Sequence, residues 1–218
     1  MHRESVGLLT FIVLLCSCTQ PPVGSGGGAS ETVATVTPYE QGLQVSVSGD
    51  GSFSVQAAVY HSDYTATDTT HFRDTSILTN DVSEWSLGVL SDSVFIVYVM
   101  DAAHGKGAAF RYDNRPDSSR GSQTKKLTAF GGITGIVTIT SLETGDTTVP
   151  VGERIVVPGS SFSTIVGDGG EYRLSGLPEA TYTIRIAIER KIYIRNGPAD
   201  TVTVSGDRIS TFDLHLTN

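Results

Sequence analysis

Tyr182-Thr183-Ile184-Arg185-Ile186-Ala187-Ile188-Glu189 decides the fold class, because large apolar residues alternate one for one with polar or small ones. Successive side chains of an extended strand point to opposite faces. Tyr182, Ile184, Ile186 and Ile188 therefore share one face, and Thr183, Arg185, Ala187 and Glu189 the other. The same period recurs nearby. Phe212, Leu214 and Leu216 alternate with Asp213, His215 and Thr217, and Val202 and Val204 with Thr201, Thr203 and Ser205. Residues 135–139, 154–157 and 171–174 read as further short strands, and Asp168-Gly169-Gly170 reads as a hairpin turn whose glycines accept positive φ. No stretch sustains helical spacing. Many short strands, each with one apolar face, predict an all-β chain of antiparallel β-sandwiches.

A second copy of this pattern lies upstream. Asp81-Val82-Ser83-Glu84-Trp85-Ser86-Leu87-Gly88-Val89-Leu90 aligns without gaps on Asp168-Gly169-Gly170-Glu171-Tyr172-Arg173-Leu174-Ser175-Gly176-Leu177. The match continues with Phe95 on Tyr182, Val97 on Ile184 and Val99 on Ile186. An internal repeat of this kind means two homologous units. The reading is two tandem sandwiches, residues 31–130 and 131–218, joined at Gly131-Gly132 by a short link that limits their freedom. The first copy has Val82 and Ser83 where the second has glycines, so its turn should avoid positive φ.

Gly135-Ile136-Val137, Ile155-Val156-Val157-Pro158-Gly159, Thr164, Asp168-Gly169-Gly170-Glu171-Tyr172-Arg173-Leu174, Gly176-Leu177-Pro178 and Tyr182-Thr183-Ile184 together resemble the carboxypeptidase regulatory-like family. That resemblance implies a transthyretin-like (prealbumin-like) sandwich of non-catalytic folding, docking or spacer character. The related Cna-B-like domains cross-link themselves through Lys–Asn isopeptide bonds. The lysines here are Lys106, Lys125, Lys126 and Lys191, none in the first strand of either copy, so that chemistry is not expected.

The N-terminus carries an address. Arg3 precedes an apolar run from Val6 to Leu15, which is too short for a membrane span of about 20 residues and fits a signal h-region. Leu15-Cys16-Ser17-Cys18 resembles the lipobox of bacterial lipoproteins. The resemblance implies that residues 1–17 are a signal peptide and that Cys18 is lipidated (palmitate among its chains). Cys16 and Cys18 are the only cysteines, so the mature chain would hold no thiol for a disulfide, a zinc ligand or a nucleophile. Thr19 to Ser30, rich in Pro, Gly and Ser, reads with Cys18 as a flexible tether over residues 18–30. The expected location is the bacterial cell envelope, outer membrane or cell surface, with the membrane reached through the lipid.

Across 218 residues the hydrophobic share is 39% and the charged share 17%, too apolar for a disordered acidic tail. A net charge of -8 repels phosphates, so no nucleic-acid partner is expected. No nucleophile elbow or zinc-helix motif appears, so the chain is read as no enzyme and as needing no cofactor.

Four features remain as candidates. The strand Val94 to Met100 carries Phe95, Val97 and Val99 inward by alignment, yet Val94, Ile96, Tyr98 and Met100 outward. The second copy has Thr181, Thr183, Arg185 and Ala187 at those outward positions. An apolar outer face is costly in water, so this face should pack on the second domain or on a protein partner. Trp85 is the first ring to test for sugar stacking, with Tyr39, Tyr60, Tyr64, Tyr112 and Tyr193 as surface candidates. A carbohydrate-binding accessory lipoprotein with a polysaccharide partner is accordingly the alternative to a structural module. The stretch from His61 to Asp74 (with Asp63, Asp68 and His71) has cation-ligand side chains but reads better as a polar loop. Arg111, Arg115, Arg120, Lys125 and Lys126 form a basic stretch that reads as solvated loop.

Overall fold

Alternation becomes strand in the computed structural model of the chain, which describes residues 31–39, 42–67, 71–88, 93–114, 121–188, 194–195 and 201–217. Among these residues every regular element is β, as the sequence requires. The first half holds β1 (Thr32–Tyr39), β2 (Gly42–Gly49), β3 (Ser54–His61), β4 (Arg73–Thr79), β5 (Glu84–Gly88), β6 (Val94–Asp101), β7 (Lys106–Asp113), β8 (Gln123–Lys126) and β9 (Thr128–Ala129). Next come β10 (Gly131–Thr140), β11 (Thr147–Thr148), β12 (Arg154–Val156), β13 (Ser163–Ile165), β14 (Glu171–Leu177), β15 (Ala180–Thr183) and β16 (Arg185–Ala187). The chain closes with β17 (Ile194–Arg195), β18 (Thr201–Val204), β19 (Ile209–Thr211) and β20 (Leu214–Thr217).

Two sheets face each other in the first half, in the orders β5-β2-β1-β8 and β4-β3-β6-β7-β9. In the second half β10 carries β14, β19 and β20, while β13-β12-β16 and β15-β18 form the opposing layer. The pairings of the two halves correspond. β5 pairs β2 as β14 pairs β10, and β3 pairs β4 and β6 as β12 pairs β13 and β16. β6 pairs β7 as β15 pairs β18. Register agrees as well: Trp85 lies opposite Val45 and its counterpart Tyr172 opposite Gly135.

One strand breaks the equivalence. In the second half β10 pairs directly, and in parallel, with β19 and β20. In the first half β1 stands between β2 and β8, antiparallel to both, with Ala34 and Val36 fully buried.

The turns show how sequence sets the crossing between layers. Asp168-Gly169-Gly170 does not close a hairpin: β13 pairs β12 and β14 pairs β10, so the turn carries the chain from one layer to the other. Gly170 has φ 85°, and a Cβ there would meet the Val137 carbonyl oxygen at 2.8 Å. In the first copy the β4–β5 turn makes the same crossing. Asp207 is the one described non-glycine residue at positive φ, so Val82 avoids it as expected, and the turn is closed by Thr79 N–H donating to Val82 O at 2.9 Å. Gly131 and Gly132 form no free joint, because both belong to β10 and Gly132 lies opposite Ser175.

Two hydrophobic cores result. One lies wholly in the first half, around Val45, Val55, Leu78, Phe95, Val97 and Phe110. The other gathers Ile133, Val137, Ile155, Tyr172, Leu177 and Leu214 from the second half, and takes in Ala58, Tyr60, Tyr64, Tyr98 and Ala109 from the first. The β3-β6-β7 sheet is therefore covered on both faces: Val55, Ala57 and Val59 serve one core, Ala58 and Tyr60 the other.

Candidate functional site

The outer face of β6 is where the two halves meet. Period two sends Phe95, Val97 and Val99 into the first core, each at 0% exposure. Tyr98 points the other way and is only 2% exposed, with Ile96 and Met100 partly buried against the second core. Val94, at the strand's start, is half-buried. The Tyr98 ring sits edge-on to Phe162 at 5.4 Å between centroids and edge-on to Tyr60 at 5.9 Å. Edge-to-face contacts at this spacing suit the ring quadrupoles and add to the area buried.

Polar groups in the seam are paired, and two of the bonds cross it. The Tyr60 hydroxyl donates to Ser161 Oγ at 3.1 Å. Gly159 N–H donates to the Tyr64 carbonyl oxygen at 2.7 Å, and Arg73 Nη1 donates to the Tyr64 hydroxyl at 3.0 Å. Ser160, wholly buried, donates to Val157 O at 2.7 Å and accepts from Phe162 N–H at 3.1 Å. Burial drives the Tyr98 hydroxyl above the ordinary tyrosine range. Burial does the same to Tyr182, whose hydroxyl donates to Pro178 O at 2.6 Å. Gly159 is required twice over: its φ is 76°, and an added Cβ would stand 2.7 Å from Ile96 Cγ1. A parallel bridge between Ala108 and Glu179 joins β7 to the start of β15.

Beside this seam lies a cleft of about 310 Å³. It is lined by the apolar Ile96 and Tyr98, the cationic Arg111 and Lys125, and Thr181 and Thr183 of β15. Lys125 Nζ donates to Ala109 O at 2.5 Å and lies 5.3 Å from the Phe110 ring centre. A more open hollow is lined by Thr67 of the first half together with Glu153, Arg154, Ile165 and Ile188 of the second.

The other candidates fall as follows. Trp85 is half-buried and packs against the first core, so only part of its ring is open to a sugar. Tyr60, Tyr64 and Tyr112 are not surface residues: they are 5%, 2% and 5% exposed. Their hydroxyls find protein partners, Tyr112 donating to Val36 O at 2.5 Å, and that pairing is what lets a tyrosine be buried. Tyr39 stays exposed at 43%, and Tyr193 lies outside the described residues. The His61 and His71 rings stack at 5.4 Å, and Asp63 N–H donates to His61 Nδ1 at 3.2 Å. Among the described residues no group of three or more His, Cys, Asp or Glu side chains could hold a metal ion; Asp68 is outside them. His215 is exposed and bonds Thr138 through Nδ1 at 2.9 Å. Cys16, Cys18, Arg115, Arg120 and Lys191, the signal (1–17) and tether (18–30) all lie outside the described residues.

Sequence reasoning did not single out Ser160, Ser161 or Phe162. Nothing local marks them, although Val157-Pro158-Gly159 just before them stood out. The glycine after the proline was the available signal for a special backbone position.

No family model matches the chain, and no curated protein matches it in sequence. Among solved structures it is similar to GBS52, the minor pilin of the Gram-positive pathogen Streptococcus agalactiae, at 12% identity and a TM-score of 0.39, covering 78% of this chain and 85% of that one. It is similar to the Bacillus anthracis TIE protein at 12% identity and a TM-score of 0.30, covering 90% of this chain and 42% of that one. BcpA, the major pilin subunit of Bacillus cereus, matches at 12% identity and a TM-score of 0.27, covering 86% and 59% of the two chains. The fold reading rests on the strands and their pairings.

Proposed function

We propose that this chain is a membrane-anchored, non-catalytic surface lipoprotein whose two sandwiches act as one structural and binding module held off the bilayer on a tether. Cys18 is the lipid attachment point in this reading, and the transthyretin-like, carboxypeptidase regulatory-like character of the second half supplies the scaffold. The observation that carries it is the seam. The Tyr60 hydroxyl donates to Ser161 Oγ and Gly159 N–H donates to the Tyr64 carbonyl oxygen, so polar groups of both halves fasten the scaffold where they meet. A covered apolar face makes the two halves a stiff presenter, suited to docking at its edges and clefts.

Replacing Cys18 with serine tests the anchor. The variant should leave the membrane fraction, fail to incorporate labelled palmitate and change its electrophoretic mobility. Membrane fractionation and mobility identical to the unaltered protein would overturn the reading.

A further inference from the structure

The two strands that flank the cleft treat their outer edges differently. β9 covers β7 only at Lys106 and Gly107. Beyond that point the β7 carbonyls are capped by side chains, Ala109 O by Lys125 Nζ at 2.5 Å and Arg111 O by Gln123 Nε2 at 3.1 Å. Such capping blunts an edge against stray pairing. β15 has β18 on one side, from Ala180 opposite Val204 to Thr183 opposite Thr201. On its other side, among the described residues, no strand pairs it, and an isolated Ala108–Glu179 bridge joins its start to β7. Pro158, which also lines the cleft, has no N–H and cannot give that edge a donor.

Charge at this edge runs against that of the whole molecule. The chain carries -8, yet among the described residues the cleft is lined by Arg111 and Lys125 and by no carboxylate. Both cations are exposed, and Lys125 uses one of its three N–H donors on Ala109.

From the open edge and the paired cations together, we infer that β15 is a docking edge for an extended, acidic peptide segment of a partner protein. The segment adds as a strand along Ala180 to Thr183, its main chain pairing with the edge and a carboxylate side chain seated between Arg111 and Lys125. Main-chain pairing supplies affinity, and the cationic pocket selects the acidic residue. The inference rests on the proposed binding-module role but is independent of the anchor at Cys18, so the two tests fail separately.

The probe is a fluorescent eight-residue peptide of alternating Thr and Glu, titrated against the full-length protein by polarisation. Binding should saturate, weaken about tenfold or more when Gln replaces Glu, and disappear when alternate peptide nitrogens are methylated. Arg111→Gln should weaken binding about tenfold with its thermal midpoint unchanged. Should Arg111→Gln fail to fold, the methylated and Gln peptides still decide the matter on the unaltered protein. No binding at millimolar peptide, equal binding of the Gln peptide, or indifference to N-methylation would each overturn the inference. So would an oligogalacturonate that binds where the peptide does not, because the ligand class would then be an acidic glycan.

Discussion

Gly159 is the residue on which the seam turns. Its φ of 76° lies where a side chain is disfavoured by about 1–2 kcal/mol, and the space a methyl would need is held by Ile96 Cγ1 at 2.7 Å. Gly159→Ala should therefore lower unfolding free energy by about 2 kcal/mol or more, read by urea denaturation. An unchanged midpoint would show that the seam yields at this point. Tyr98 and Tyr182 make a second prediction at this scale. Burial raises both hydroxyls above the ordinary value of 10.0, so the folded chain keeps these protons where the unfolded chain loses them. Their contribution is whole below pH 10 and drains away as pH rises past it, by up to about 1.4 kcal/mol per pH unit for each tyrosine. Alkaline titration should show their tyrosinate absorbance appearing only together with loss of fold. A smooth ordinary titration of all tyrosines in the native state would contradict their burial.

Among elements, β6 best shows what was legible. Period two placed Phe95, Val97 and Val99 inside, and the apolar character of Ile96 and Tyr98 demanded a cover. The choice of cover was not legible, because it depends on contacts between distant segments: Ser161 lies 101 positions along the chain from Tyr60. Tyr60 and Tyr64 were missed for a related reason. A tyrosine has an apolar ring and a polar tip, and only the finished fold tells whether water or a neighbouring residue takes the hydroxyl. The Ile96→Thr, Tyr98→Thr double variant should cost about 3–5 kcal/mol, as for truncating a large buried aromatic, with part added by Ile96. Denaturation curves superimposable on the unaltered protein would mean the face needs no cover. The direction of β14 was similarly hidden, since Asp168-Gly169-Gly170 marks a reversal without saying whether the next strand joins the same sheet or the facing one.

For the whole molecule the duplicated sequence yields duplicated pairings, but with two departures. β1 enters between β2 and β8, a place that in the second half has no strand because β10 and β20 pair directly. The second core also annexes one face of the first half's central sheet. The repeat could announce two units; it could not announce that they share a core, since that follows from the apolar residues by which the copies differ. Sharing a core means that neither half should unfold while the other persists. Scanning calorimetry of the full-length protein measures this directly. The account requires one transition, with calorimetric and van't Hoff enthalpies equal; two resolved transitions, or a calorimetric enthalpy near twice the van't Hoff value, would show that the halves are separate bodies and the seam a loose contact.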